Sequence, residues 1–328
     1  YPGIGYNEDR SDFTYIYRGG KTRARVSISG LEPEEVDWSK PEFSISPAQH
    51  EHFTRLEEHN VIVTYVLMFW DKETYPNGEG APCARFQTEE EIERWLEYVR
   101  FTVQELGEYV DYFEIWNEPD IQNYCPKAIM LDDYINLIQR TVPVIRDVDP
   151  EAKIVVGAVS GTYYLQAKNY LFGLLTSDIM PLVDAISFHP LYGESPKYEE
   201  ERDYYYNYPD FLQRIMDTAV ANGFSGEFHA DEVGWTRQPH GGQSGEFSLI
   251  ETHKYFLRAV MLHRGMGVDL GGRGGYYPTG RRVSTLMAGV EPAELPVEID
   301  SEAGNIMTYS FSTMEGDRLV AVWTNGIV

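Results

Sequence analysis

The chain has 328 residues, 42% of them apolar and 24% charged, enough to bury a sizeable core as one large domain or two and too apolar to stay disordered. Lys and Arg total 27 against 52 Asp and Glu, and the formal net charge of −25 repels both a phosphate backbone and an anionic membrane, so neither nucleic acid nor membrane is an expected partner. The most apolar run, Val61 to Trp70, is ten residues, about half of what spans a bilayer.

The cations are 8 Lys against 19 Arg, an acidic and lysine-poor balance suited to salt-rich or extracellular surroundings. The chain opens at Tyr1 without a charged segment followed by an apolar one, so a secretion signal is expected to have been removed or not included. Cys83 and Cys125 are too few for a disulfide framework and lack the spacing of a zinc site. Composition leaves the oligomeric state open.

In chain order, short β-branched or aromatic runs alternate with longer amphipathic ones, the pattern of repeated strand–helix units. Ile4–Asn7 reads as a short first strand, Thr22–Ser29 as a second and Val61–Phe69 as a third. Thr88, with Glu91 three residues on, signals a capped helix over Glu89–Leu106, whose Ile92, Trp95, Leu96, Val99 and Val103 share one stripe. Next come the strand Tyr112–Trp116 and the helix Leu131–Val148, then the strand Lys153–Val159 and the helix Tyr163–Leu175. The strand Val183–Phe188 and the helix Tyr208–Asn222 follow, then the strand Gly226–Ala230, the helix Ser248–Arg264 and a weak strand over Gly267–Tyr277.

Eight such units close a (β/α)₈ TIM barrel, an α/β architecture. An open doubly wound sheet would carry a Gly-rich phosphate turn after its first strand, and Gly3–Asn7 is not one. From about residue 284 the helices stop, and strands Ile306–Ser312 and Arg318–Thr324 flank a Glu315-Gly316-Asp317 turn. The expected division is a catalytic barrel over residues 1–283 and, over 284–328, a partial β-domain of sandwich type.

Two segments carry chemistry. Tyr112-Phe113-Glu114-Ile115-Trp116 runs into Asn117-Glu118-Pro119, which places Glu118 at the rim where barrel strands end and where active sites form. Phe228-His229-Ala230-Asp231-Glu232-Val233-Gly234-Trp235 is a second strand running into rim carboxylates. Two carboxyl groups converging on one mouth are what glycosidic cleavage requires, one protonated to donate to the leaving oxygen and one ionised to face the anomeric carbon. Strict alternation lets only one of Asp231 and Glu232 face the barrel axis, so either is the working carboxylate on this ground alone.

With these segments in view, the chain resembles the clan A glycoside hydrolases, most similar in its motifs to family 39 and related endoglycosidase-like barrels. The match at Trp116-Asn117-Glu118-Pro119 implies that Glu118 is the general acid/base and that Asn117 binds the sugar 2-hydroxyl. The segment Asp231-Glu232-Val233-Gly234-Trp235 is similar to the nucleophile segment and implies Glu232 as nucleophile. Ser187-Phe188-His189-Pro190-Leu191-Tyr192 resembles the sixth-strand segment, implying substrate-binding roles for His189 and Tyr192, and Arg25 resembles the second-strand arginine beside the nucleophile. The similarity extends to Val36-Asp37-Trp38-Ser39 and to Leu319-Val320-Ala321-Val322-Trp323, and so over most of the chain. Where the family carries an eighth-strand tryptophan, this chain has Gly271-Gly272-Arg273-Gly274-Gly275-Tyr276-Tyr277.

Trp70, Trp235, Tyr276 and Tyr277 fall at expected strand ends, where aromatic faces can stack on sugars or pack in the core. His50-Glu51-His52 lacks the spacing of a zinc helix, so no metal or other cofactor is expected. Cys83 and Cys125, in loops after the third and fourth strands, either bridge or stay free. The expected activity is retaining hydrolysis of β-glycosidic bonds in an oligo- or polysaccharide, outside the cytoplasm. A silent carbohydrate-binding barrel and a transglycosylase using the same glutamates are the alternatives.

Overall fold

A computed structural model describes residues 23–26, 43, 45, 47–68, 86–121, 129–235, 247–272, 283, 286–287, 289–294, 299–300, 302–303 and 306–324. The expected first strand Ile4–Asn7, Cys83 and Cys125 lie outside these residues.

Strands β1 (Arg23–Val26), β2 (Ile62–Leu67), β3 (Tyr112–Ile115), β4 (Lys153–Val159), β5 (Ala185–Phe188), β6 (Glu227–Val233) and β7 (Asp269–Gly272) form one sheet in sequential order. All neighbouring pairs are parallel. Cα atoms of β1 and β7, the two ends of this order, come within 8 Å of each other. A sheet whose ends meet is curled into a barrel, which removes the open doubly wound alternative.

Helices α1 (Pro47–Glu58), α2 (Glu89–Leu106), α3 (Leu131–Val148), α4 (Leu165–Leu175), α5 (Glu199–Ala221) and α6 (Leu249–Gly265) alternate with the strands. Strands β8 (Glu291–Pro292), β9 (Ile306–Ser312) and β10 (Arg318–Thr324) make a separate antiparallel sheet in the order β10-β9-β8. The architecture is thus a (β/α)₈-type barrel followed by a small β-sheet. Among the described residues no helix is long and apolar enough to cross a membrane.

The strongest local signals form as expected. The Glu91 backbone N–H donates to Thr88 Oγ1 at 3.2 Å while the Glu91 carboxylate accepts from the Thr88 N–H at 3.1 Å, closing the capping box of α2. Trp95, fully buried on the same helix, donates to Thr141 Oγ1 of α3 at 2.8 Å. Helix α1 has no counterpart among the expected helices, because only Gln49, Phe53 and Leu56 are buried and so sparse a stripe has little periodic signal. Helix α5 begins at Glu199, well before the expected Tyr208. Its opening Glu199-Glu200-Glu201 suits a helix N-terminus, and the buried series Tyr208, Leu212, Ile215 and Ala219 carries the helix past Pro209, a residue that reads as a break.

The barrel interior is layered by the period of its strands. In the lowest layer Lys153 Nζ lies 2.6 Å from Glu227 Oε1 and 3.0 Å from the Tyr112 hydroxyl, which donates to Glu227 Oε2 at 2.7 Å. His229 Nε2 faces the same carboxylate at 3.3 Å. One layer up, buried Glu114 accepts from Ser187 Oγ at 2.7 Å, and Ser187 Oγ accepts from the Ala158 N–H at 2.8 Å. The candidate site occupies the layer above.

The bond to His229 first, and then those to Lys153 and Tyr112, hold the Glu227 carboxyl well below the usual carboxylate range against the opposing effect of burial. A depressed folded-state pKa contributes stability that is complete above the ordinary carboxylate value of about 4.3 and is lost as pH falls below it. Glu227→Gln should therefore be less stable than wild type at pH 7, by about 1 kcal/mol since the pair is half exposed, and denaturant titrations should show that gap closing between pH 5 and 2. Gly157 adopts φ +113°, and a methyl group on it would lie 2.3 Å from the Ser187 carbonyl oxygen. Gly157→Ala must then part β4 from β5, at a cost of about 3 kcal/mol in urea unfolding.

Candidate active site

At the end of β3 the chain turns sharply. Trp116 and Glu118 both take left-handed backbone conformations, φ +68° and +49°, each costing roughly 1–3 kcal/mol. The surroundings impose them. The Trp116 N–H donates to Leu67 O at 3.0 Å and the Glu118 N–H to Ala158 O at 2.9 Å, so the turn is pinned to the ends of β2 and β4. The Tyr134 hydroxyl, reaching in from α3, donates to Ile115 O at 2.5 Å and accepts from the Gly157 N–H at 3.1 Å. The Trp116 ring is buried edge-on against Phe86, with centroids 5.3 Å apart. Asn117 is half-buried between the two strained residues, and Glu118 emerges at the rim with about a quarter of its side chain exposed.

On β5 the inward series Ala185, Ser187 continues to His189, whose N–H donates to Val159 O at 3.0 Å. The ring is 1% exposed. Nδ1 lies 3.0 Å from Glu118 Oε1, and Nε2 lies 3.4 Å from Asp231 Oδ1 and 4.0 Å from Glu232 Oε1. Burial alone would push this imidazole toward neutrality, but Glu232, the bond to Glu118 and the nearby Asp231 outweigh it and raise the pKa to about 9. The carboxyl groups around the ring thus favour its protonated form, with Nδ1 within hydrogen-bond distance of Glu118 Oε1.

The presence of both Asp231 and Glu232 at this ring corrects the expectation that alternation admits only one. Glu227, His229 and Asp231 make up the inward series of β6, and strict alternation would turn Glu232 outward. Between Ala230 and Val233, however, the strand shifts register against Leu270 and Gly272 of β7, one residue more on β6 than on its partner. That bulge re-aims Glu232. Gly271 permits it, since a methyl group there would lie 2.4 Å from the Asp231 carbonyl oxygen. A carboxyl oxygen of Glu118 and one of Glu232 lie within 4.8 Å of each other.

The remaining sequence-predicted residues fare differently. Arg25 lies on β1 opposite Thr64 of β2. Trp70, Tyr276 and Tyr277 fall outside the described residues. Tyr192 is half-buried in the loop after β5, where its N–H donates to Glu194 Oε2 at 2.5 Å. Trp235 takes the core alternative rather than the sugar-stacking one: it is 1% exposed, packs on Tyr255 and donates from Nε1 to Glu194 O at 2.9 Å.

Asp120 and Glu194 also reach the site, and neither stands out in the chain. Asp120, buried just past Glu118, accepts from the Ser160 N–H at 2.8 Å and from Ser160 Oγ at 2.5 Å. Burial pushes its carboxyl up and the Ser160 bonds oppose this. Its one signal in the chain is a place two residues after the rim glutamate. Burial pushes the Glu194 carboxyl up to about 8 and the neighbouring Glu201 carboxyl, which accepts from the Ser195 N–H, up to about 7.

Glu118, His189 and Glu232 also have the spacing of a metal-ligand set, with one donor atom from each within 4.8 Å of the others.

The fold is that of known glycosidases. A family 39 glycoside hydrolase from the gut symbiont Bacteroides cellulosilyticus WH2 superposes with TM-score 0.68 at 17% identity, over 96% of this chain and 67% of that one. A glucosidase from Croceicoccus marinus gives TM-score 0.64 at 13% identity, over 94% of this chain and 70% of the other. An alpha-L-arabinofuranosidase from Thermotoga maritima gives 0.60 at 13%, over 98% and 76%. No family model matches the sequence, and no curated protein matches it significantly. The chain thus shares the TIM-barrel scaffold of the clan A glycoside hydrolases.

The buried His189 couples the site to the stability of the fold. A pKa raised from about 6.5 to about 9 on folding contributes stability that is complete below pH 6.5 and is lost as pH rises through 9. His189→Gln should cost about 3 kcal/mol at pH 6, because it leaves buried carboxylates without their cation. In guanidinium titrations the gap to wild type should shrink steadily from pH 7 to 10; a constant gap means that the ring is neutral in the folded protein.

Proposed function

We propose that the protein is a retaining β-glycoside hydrolase acting on an oligo- or polysaccharide. The observation that carries this reading is the approach of Glu118 and Glu232 from the ends of β3 and β6, with carboxyl oxygens within 4.8 Å. Retaining enzymes hold their carboxyl groups about 5–5.5 Å apart, whereas inverting ones leave about 6.5–9.5 Å for a water molecule.

In this reading Glu232 attacks the anomeric carbon as the glycosidic bond breaks, and Glu118 gives its proton to the departing oxygen. The product is a glycosyl ester of Glu232. Once Glu232 is esterified its charge is gone, so an anionic Glu118 no longer faces a like charge and can take the proton of an attacking water. Water adds to the anomeric carbon, the ester bond breaks and both carboxyl groups return to their starting states. His189, in contact with both, fixes their separation. Arg25, Asn117 and Tyr192 are assigned to the substrate and to the nucleophile's surroundings, and Trp70 and Tyr276 to sugar stacking, on the strength of the motif resemblance. The barrel is assigned to residues 1–283, and the acidic, lysine-poor surface fits action outside the cytoplasm.

Azide tests the two roles separately, using aryl β-glucosides, xylosides, mannosides and galactosides with dinitrophenyl leaving groups. Glu232→Ala should lower turnover on the order of 10⁴-fold or more, and azide should then give an α-glycosyl azide. Glu118→Ala should keep the first step, because dinitrophenolate departs without a proton, and should give a β-glycosyl azide. Equal losses with no azide product from either variant would remove both residues from these roles.

A further inference from the structure

Glu194 stands where the loops that follow β4, β5 and β6 meet, and it is 6% exposed. Gly193 beside it takes φ +108°, a left-handed turn that folds the chain back so that the Tyr192 N–H donates to Glu194 Oε2 at 2.5 Å. Glu194 Oε1 faces the loop after β4, where a methyl group on Gly161 would lie 3.9 Å from it. From the end of β6, Trp235 Nε1 donates to Glu194 O and the Gly234 N–H to Leu191 O, both at 2.9 Å. One buried residue thus joins three rim segments, on the loop that begins at His189 and carries Tyr192.

The groups packed around Glu194 are hydroxyls and further carboxyls. From α5 come Glu201, with Glu200 beyond it, and Tyr204, which donates to Pro190 O at 2.6 Å. From the loop before α4 come Tyr163 and Tyr164; burial first, and Glu194 after it, push the hydroxyls of Tyr164 and Tyr204 up. From α6 the Tyr255 hydroxyl bonds Ser195. The cations nearby have other partners: Lys197 pairs with Glu251 at 3.3 Å, Arg202 donates to Pro196 O at 3.3 Å, Arg258 bonds Tyr205 and Lys168 lies over the Tyr204 ring. Among the described residues none pairs with Glu194. A carboxyl group held out of water with no cation beside it is stable only while neutral, or once water reaches it.

We propose that Glu194 is a proton-operated latch of the rim: protonated, it holds residues 190–198 against the loops after β4 and β6, and on losing its proton it must reach water, which frees Tyr192 and that loop. The device depends on the burial and placement of Glu194 and not on which reaction the rim serves. Its direction follows from linkage. An exposed glutamate titrates at about 4.3, whereas in the closed loop burial pushes Glu194 up to about 8. The preference for the closed loop is therefore complete below about pH 4, falls about tenfold per pH unit up to about pH 8 and is constant above it. Glu201, pushed up to about 7 by burial, adds a loss of its own below that pH.

Amide hydrogen exchange of the full chain, read by mass spectrometry as the protection of each peptide relative to its unstructured rate, tests the latch. Between pH 5 and 7 the protection of residues 190–198 should fall more steeply in wild type than in Glu194→Gln, by about tenfold per pH unit. The peptide Leu165–Leu175 of α4 should keep one pH dependence in both proteins. In wild type the fall should end near pH 8. Equal slopes in wild type and Glu194→Gln would overturn the latch, as would a slope abolished by Glu201→Gln alone. A fall that continues past pH 9 would belong to Tyr163, Tyr164 and Tyr204, and an equal change in both peptides would belong to unfolding of the whole barrel; either result also overturns it. If Glu194→Gln does not fold, the comparison of the two wild-type peptides and the end of the fall near pH 8 decide.

Discussion

A buried histidine surrounded by carboxyl groups organises the upper layer of this barrel. Glu118, Asp231 and Glu232 bring three carboxyl groups from the ends of two strands onto one ring. His189 bridges them, with Nδ1 on Glu118 and Nε2 between Asp231 and Glu232. Its own position depends on backbone bonds to the neighbouring strand end, from its N–H to Val159 O and to its carbonyl from the Thr162 N–H. The separation of the two glutamates is thereby fixed by the body of the barrel, and the ring that spaces them is inaccessible to solvent.

The same dependence explains the strained turn after β3. Left-handed conformations at Trp116 and Glu118 persist because strand-end carbonyls at Leu67 and Ala158 accept their N–H groups and because the Trp116 ring is locked among Phe86 and Trp95. Below the site the polar layers of Glu114 with Ser187, and of Lys153 with Glu227, tie β3, β4, β5 and β6 together from inside. A barrel whose interior is hydrogen-bonded in this way holds its rim rigidly, which is what a pair of carboxyl groups set to one separation needs.

Much of this arrangement is legible in the chain where one local signal dominates. The capping box at Thr88 and Glu91 marks the start of α2, the short β-branched or aromatic runs mark β4, β9 and β10 to the residue, and Asn117-Glu118-Pro119 after an apolar strand marks the rim. Features set by tertiary contact are not legible. The bulge that brings Asp231 and Glu232 to one ring depends on how β6 meets β7 at Gly271. Trp235 looks like a rim aromatic because it follows a strand, yet its indole is covered by Tyr255 from α6. Helix α5 crosses Pro209 because its buried stripe outweighs the lost backbone bond, a balance that propensity alone places on the other side.

The assignment of Glu232 as the attacking atom is tested most directly by trapping the covalent intermediate. Dinitrophenyl 2-deoxy-2-fluoro-β-glycosides of glucose, xylose, mannose and galactose slow the second step more than the first, so the ester accumulates. Peptide mass spectrometry of the inactivated protein should place one fluoroglycosyl group on Glu232, with Asp231 unmodified. A label on Asp231, or hydrolysis of the parent glycosides with inversion at the anomeric carbon and no label, would contradict the account.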